Sequence, residues 1–330
     1  MKKIILFILL SCMLTLTGCS KESKEQALDK LYKKYNNTNG YQITGKMELI
    51  NNECSYDYDI TVSYKKEDMY RVSLRNNSNN HEQVILRNKD GVYVFTPSLN
   101  KSFKFESKWP YNNSQAYIPQ TIINDLKEDS NLSMKETDNG YLFKSKVNYK
   151  NNSNLEYQKV LVNKKYIIKE VTVYDSNDNA QIKVVFEDID LKAKFDDSYF
   201  DIEENSEELE TETTSTISLD DPIYPMYIPE GTYLDEEKIV DLDNGSRIIL
   251  TFAGDNSFML VEEVSSISKD MEIIPTSGDL DLFADSVAVV SDNSVTWTSA
   301  GIDYYLVSDV LSSEELISIA SSVSTMPVGK

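Results

Sequence analysis

The sequence predicts a mainly β protein: an N-terminal open half-barrel of antiparallel meander strands with covering helices, then a small α+β domain. Three observations carry that expectation. Apolar and polar residues alternate with period two through most of residues 41–188. Hairpin-type pairs punctuate the runs, Asp90-Gly91 and Asn139-Gly140 among them, because they tolerate the positive φ of tight turns. The charge balance then breaks near residue 203. Residues 20–202 hold 27 acids and 27 bases, whereas residues 203–330 hold 27 acids and four bases. A chain of 330 residues suits two cores better than one.

Lys2 and Lys3 precede an almost unbroken apolar run, Ile4 to Leu16. That run is shorter than the ~20 residues a bilayer core requires, so residues 1–18 read as a signal peptide. Leu16-Thr17-Gly18-Cys19 closes it and resembles the bacterial lipobox, which makes Cys19 the lipidated first residue of the mature chain. Two or three acyl chains, at about 0.8 kcal/mol per buried CH₂, hold a protein firmly to a membrane. The expected place is therefore the extracytoplasmic face of the cytoplasmic membrane. Cys12 leaves with the signal, so Cys54 is the only mature thiol and no internal disulfide forms. The single histidine, His81, sits in the polar stretch 76–81, and no Cys/His nucleophile is expected.

Residues 21–36 form a helix whose stripe is Ala27, Leu28, Leu31, Tyr32 and Tyr35. Strands follow at 41–50, 56–65, 68–75, 82–88, 91–96, 101–106, 141–149, 155–163, 167–174 and 180–188, with one short helix near 119–128. In 56–65 the alternation is cleanest. Tyr56, Tyr58, Ile60, Val62 and Tyr64 share one face, and Asp57, Asp59, Thr61, Ser63 and Lys65 share the other. That apolar face, with Phe95 of the strand 91–96, either lines an open cavity or fills a core beneath the helices. Residues 203–221, rich in Glu, Thr and Ser without an aromatic, read as a self-repelling extended linker. Residues 222–330 carry strands at 238–242, 246–252, 257–264, 285–290, 294–299 and 302–308. A helix from Ser313 ends them, and Ser312 with Glu315 forms its capping box.

Several functions are excluded by composition. A net charge of −21 repels nucleic acid, and the acidic second half is repelled by an anionic membrane surface. That acidity serves solubility or offers a surface to a basic partner. Asp175-Ser176-Asn177-Asp178-Asn179 has the spacing of half a calcium loop, but Ala180 stands where glycine is needed and Phe186 where the bidentate acid is needed. A hairpin turn is expected there. The acids at 196–197 and 203–212 face no nucleophile. No enzyme activity, cofactor or metal is expected.

Asp90-Gly91-Val92-Tyr93-Val94-Phe95-Thr96-Pro97, Ile168 to Asp175 and Phe195-Asp196-Asp197-Ser198-Tyr199-Phe200 resemble segments of the LolA/LolB lipoprotein-carrier superfamily. The resemblance covers about residues 24–202. It implies an unclosed barrel whose concave face shelters acyl chains beneath a helical lid. The Arg-Pro that carriers place before the third strand is replaced by Lys65-Lys66-Glu67-Asp68. The C-terminal segments resemble a domain of uncharacterised role in Gram-positive lipoproteins. The two-domain order is similar to that of sporulation lipoproteins, and the body alone to germination lipoproteins that support a spore-cortex amidase. Three functions follow from the resemblance: a membrane-tethered adaptor for an envelope or cell-wall hydrolase protein, an acyl-chain or lipoprotein carrier, and an envelope-stress sensor of the RseB type.

Overall fold

The computed structural model describes residues 22–51, 54–207, 219, 221–242, 245–265, 271–283 and 286–323. The signal, Cys19 and the middle of the acidic stretch lie outside the described residues.

Helix α1 (Lys24–Asn36) opens at a capping box in which the Ser23 hydroxyl accepts the Gln26 amide at 3.2 Å and the Gln26 side chain accepts the Ser23 amide. Just before it, the Glu22 carboxylate accepts the Tyr166 hydroxyl at 2.7 Å and bonds also to Tyr141 and Lys30, pinning the start of the chain to the body. Six strands follow: β1 (Gly40–Asn51), β2 (Cys54–Lys65), β3 (Met69–Asn76), β4 (Glu82–Asn88), β5 (Gly91–Thr96) and β6 (Lys101–Phe105). Helix α2 (Pro119–Glu128) starts on a proline, which loses nothing at a position whose amide has no helical partner. The meander resumes with β7 (Ser133–Thr137), β8 (Gly140–Lys146), β9 (Leu155–Asn163), β10 (Ile168–Asp175) and β11 (Ala180–Asp190). β11 closes onto β1, so the eleven strands form one curved antiparallel sheet ordered β6-β5-β4-β3-β2-β1-β11-β10-β9-β8-β7. A bulge between Thr44 and Gly45 sharpens its curvature, and a Cβ on Gly45 would lie 2.3 Å from the Val185 carbonyl oxygen. The turn at 175–179 joins β10 to β11, with the Asp175 carboxylate accepting the Asn177 and Asn179 amides.

The second half builds a seven-stranded antiparallel sheet, ordered β12-β13-β14-β19-β18-β17-β16. Its strands are β12 (Thr232–Leu242), β13 (Gly245–Gly254), β14 (Phe258–Val264), β16 (Asp279–Phe283), β17 (Ser286–Val290), β18 (Ser294–Ser299) and β19 (Ile302–Val307). Helix α4 (Ser313–Ser321) covers it, capped by Ser312 and Glu315 as expected. Its stripe of Leu316, Ile317, Ile319 and Ala320 joins Ile248, Leu250, Phe252, Leu260 and Trp297 in a second core.

Two features depart from expectation. The stretch expected to be extended begins as helix α3 (Ile202–Glu207). Ile202 is buried against the convex face of the body, and Asn205 ties the turn down by accepting the Arg71 guanidinium at 2.6 Å and donating to Asp201. The charge break at 203 is also not a break in packing. Strand β15 (Glu272–Thr276), from the second half, pairs in parallel with β6 and becomes the twelfth strand of the first sheet. Leu280, Val287 and Val289 belong to the body's own core. Gln83 accepts the Val287 amide at 2.6 Å, and the largely buried Lys101 donates to Asp303 at 2.5 Å. A free sheet edge and an unfilled concave mouth both need cover, and the second half supplies both.

Candidate functional site

The face expected at the site is Tyr56, Tyr58, Ile60, Val62 and Tyr64 of β2. Tyr58, Ile60 and Val62 are 2%, 2% and 0% exposed. They share one cluster with Ala27, Leu31 and Tyr35 of α1 and Ile122, Ile123 and Leu126 of α2. Tyr64 packs between Tyr41, on which it stacks, and Tyr70, to which it is tilted, with ring centroids 5.1 and 5.0 Å away, and burial raises its hydroxyl pKa. Tyr70 continues the series to Trp109 and Tyr111. Tyr56 is only partly buried and touches both cores. Phe95 does not join this face. On β5 it is Val92 and Val94 that point into the concave core, so alternation sends Tyr93 and Phe95 to the convex side, where Phe95 lies under Ile202.

The concave face is thus occupied by α1 and α2 from one side and by β16 and β17 from the other. Open space lies instead between the two halves, in a cavity of about 680 Å³. Met47, Leu49 and Ile182 line its body side, and Leu280, Asp281 and Ile317 line its far side. Asn113, Asn151 and Tyr149 complete the nearer wall. No lysine, arginine or histidine lines it among the described residues. Burial pushes the Asp281 carboxyl up to about 6, against the lowering effect of its bonds from the Leu282 amide and Asn151. Such a wall of amides and carboxylates disfavours an anionic ligand and accepts hydrogen-bond donors.

None of the six residues expected to line a cavity lines this one, although Tyr58 borders a smaller one of about 380 Å³ with Met47 and Val185. Sequence reasoning missed it because the cavity forms where β16 meets the body, and residues 265–284 had been assigned no strand. The signal was present: Asp279-Leu280-Asp281-Leu282 alternates cleanly, which is the mark of a strand with one dry face.

The fold is thus an unclosed antiparallel sheet wrapped over two helices, completed by strands of the second half. This chain belongs to the family of YdcC-like sporulation proteins, whose family model matches residues 1–200. The sporulation protein YdcC of Bacillus subtilis is 33% identical over 318 residues, covering 95% of this chain and 94% of that protein. Two solved structures align with it at low similarity. The MucA/MucB complex of Pseudomonas aeruginosa aligns at 10% identity and a TM-score of 0.32, over 90% of this chain and 95% of that one. The complex of the CwlD amidase with the GerS lipoprotein from Clostridioides difficile aligns at 16% identity and a TM-score of 0.31, over 52% of this chain and 98% of that one.

Proposed function

We propose that this chain is a non-enzymatic adaptor of the sporulating cell envelope, tethered through a lipid on Cys19 to the extracytoplasmic face of the cytoplasmic membrane. It holds a rigid surface toward a protein partner, of which a cell-wall hydrolase acting on the spore cortex is the foremost class. The observation that carries the proposal is the filled concave face. A carrier needs an empty groove and a lid that moves, whereas here Ile60 and Val62 lie beneath two helices and the second half plugs the mouth. Membership in a sporulation family supports the setting.

A second function has its own observation. Met47, Leu49, Leu155, Ile182 and Ile317 give the cavity between the halves an apolar wall, and an acyl chain would bind there rather than against β2.

The test uses the Cys19→Ala chain with a fluorescent fatty-acyl probe. The adaptor binds no probe, and Ile60→Glu unfolds it, because an unpaired buried carboxylate costs several kcal/mol. Saturable binding by the parent, lost in a still-folded Ile182→Glu variant of the cavity wall, overturns the adaptor in favour of the carrier. In cells, Cys19→Ala should leave the membrane fraction or keep its signal uncleaved. Unchanged membrane retention with normal cleavage excludes the lipid tether.

A further inference from the structure

Four strands end the two sheets, and one differs in kind. β7, β15 and β16 are five residues each, and β15 carries Pro275, which has no amide to offer a neighbour. β12 is eleven residues long, contains neither proline nor glycine, and has β13 as its one strand neighbour among the described residues, with Glu237 also accepting the Tyr224 hydroxyl at 2.6 Å. Eight of its eleven residues are exposed, including Tyr233, Leu234 and Ile239. An exposed row of amides and carbonyls of that length is a template for another strand.

Its side chains say which strand fits. From Glu236 to Leu242 the register with β13 is unbroken, after a bulge at Asp235. Ile239 lies opposite Ile248, and Glu237 opposite Leu250, both of which are buried in the second core. Glu237, Ile239 and Asp241 therefore stand on the core face at its margin, and an added strand would cover them. Glu236, Lys238 and Val240 occupy the other face. Four acids against one base over 235–241, within a half of net −23, repel a second copy laid along the same edge and attract a basic segment.

We infer that β12 is the docking edge of this chain, and that its occupant is an extended, basic segment of a partner protein. That segment has an apolar residue between two basic ones at alternate positions. It adds to the sheet as an eighth strand, setting its bases against Glu237 and Asp241 and its apolar residue over Ile239. The inference deepens the adaptor function by naming the chemistry of the partner.

The experiment titrates the full chain with a short synthetic peptide alternating lysine, threonine and valine, and with the same peptide carrying glutamate for lysine. Amide hydrogen exchange across 232–242 is the readout, because strand addition protects backbone whereas diffuse charge attraction does not. The lysine peptide should slow exchange in 236–242 by about tenfold or more, with the effect weakening in salt, and the glutamate peptide should do nothing. Glu237→Lys/Asp241→Lys should lose that protection and keep its circular dichroism. Binding without protection of 236–242, or protection undiminished in the double variant, overturns the inference. Concentration-dependent protection without peptide overturns it too, assigning the edge to self-association. Acyl-probe binding by the body leaves this result unaffected, so failure of the adaptor function and failure of the docking edge are distinguishable.

Discussion

Strands β2 and β12 are twelve and eleven residues long, and both mix aromatic or β-branched residues with acids. In β2 the acids Asp57 and Asp59 alternate with apolar residues, so one face is dry and the other wet. In β12 the acids Asp235, Glu236 and Glu237 are consecutive, and no face can be dry throughout. β2 has strands on both sides and helices over its apolar face, whereas β12 has one neighbour and a margin. An isoleucine at the centre of each, Ile60 and Ile239, is 2% and 51% exposed. Strand propensity is nearly the same in both. Neighbours decide what the strand is for: one holds the fold together, and the other is left to be completed.

The largest effect should separate the two isoleucines. Ile60→Glu should cost more than about 4 kcal/mol in urea unfolding, enough to abolish the fold, since it places an unpaired charge in the core. A folded Ile60→Glu protein would show that the face is open.

The next effect is carried by Glu262 of β14, which is fully buried and separated from the margin strand by β13. Burial pushes its carboxyl up to about 7; the Ile223 amide, donating at 3.0 Å, opposes that rise, and the nearby Glu237 adds to it. Between the ordinary value of 4.5 and about 7 the folded state holds a proton that the unfolded chain releases. Stability from this group is therefore complete below pH 4.5 and is lost as pH rises through 7, by at most about 3 kcal/mol. Glu262→Gln should flatten that slope in denaturant midpoints measured from pH 4.5 to 8. An unchanged slope would place the titration elsewhere.

A smaller effect probes the seam between the regions. Gln83 is buried and holds the Val287 amide, so Gln83→Ala should cost about 1–3 kcal/mol. Proteolysis within 208–218 should yield two fragments that co-elute, because β15 stays in the first sheet and Val287 in the first core. Fragments that separate without denaturant would restore two independent domains.

The smallest effect completes the comparison. Ile239→Glu should change stability by less than about 0.5 kcal/mol, as exposed substitutions do. A cost near that of Ile60→Glu would mean the margin is buried and the edge already filled.

Strands with strict alternation, such as β2, and hairpins closed by Asp-Gly or Asn-Gly, such as Asp90-Gly91, were legible because local rules agree with the final packing. Both helices of the body and the capped helix α4 were legible for the same reason. β7 escaped because Ser133–Thr137 carries a single apolar residue, Met134, and β15 because Pro275 argues against a strand. The pairing of β15 with β6 spans some 170 residues of sequence, and no local pattern encodes which distant edge a strand will cover. The same limit hid the cavity, whose two walls come from different halves. Phe95 was misplaced for a simpler reason: membership in an apolar strand does not say which face a residue takes until the register is known.

The clamp on Glu22 sets a length. Cys19 precedes Glu22 by three residues, and an extended chain covers at most about 10 Å in that distance. If Cys19 carries the proposed lipid, the body could not drift into the envelope on a long stalk. It would ride within roughly one Debye length of the headgroups, where Lys30, Lys33 and Lys34 of α1 would sense the charge of the lipids. A partner would then be met by lateral diffusion along the membrane plane, and the height at which its basic segment projects would become part of its address.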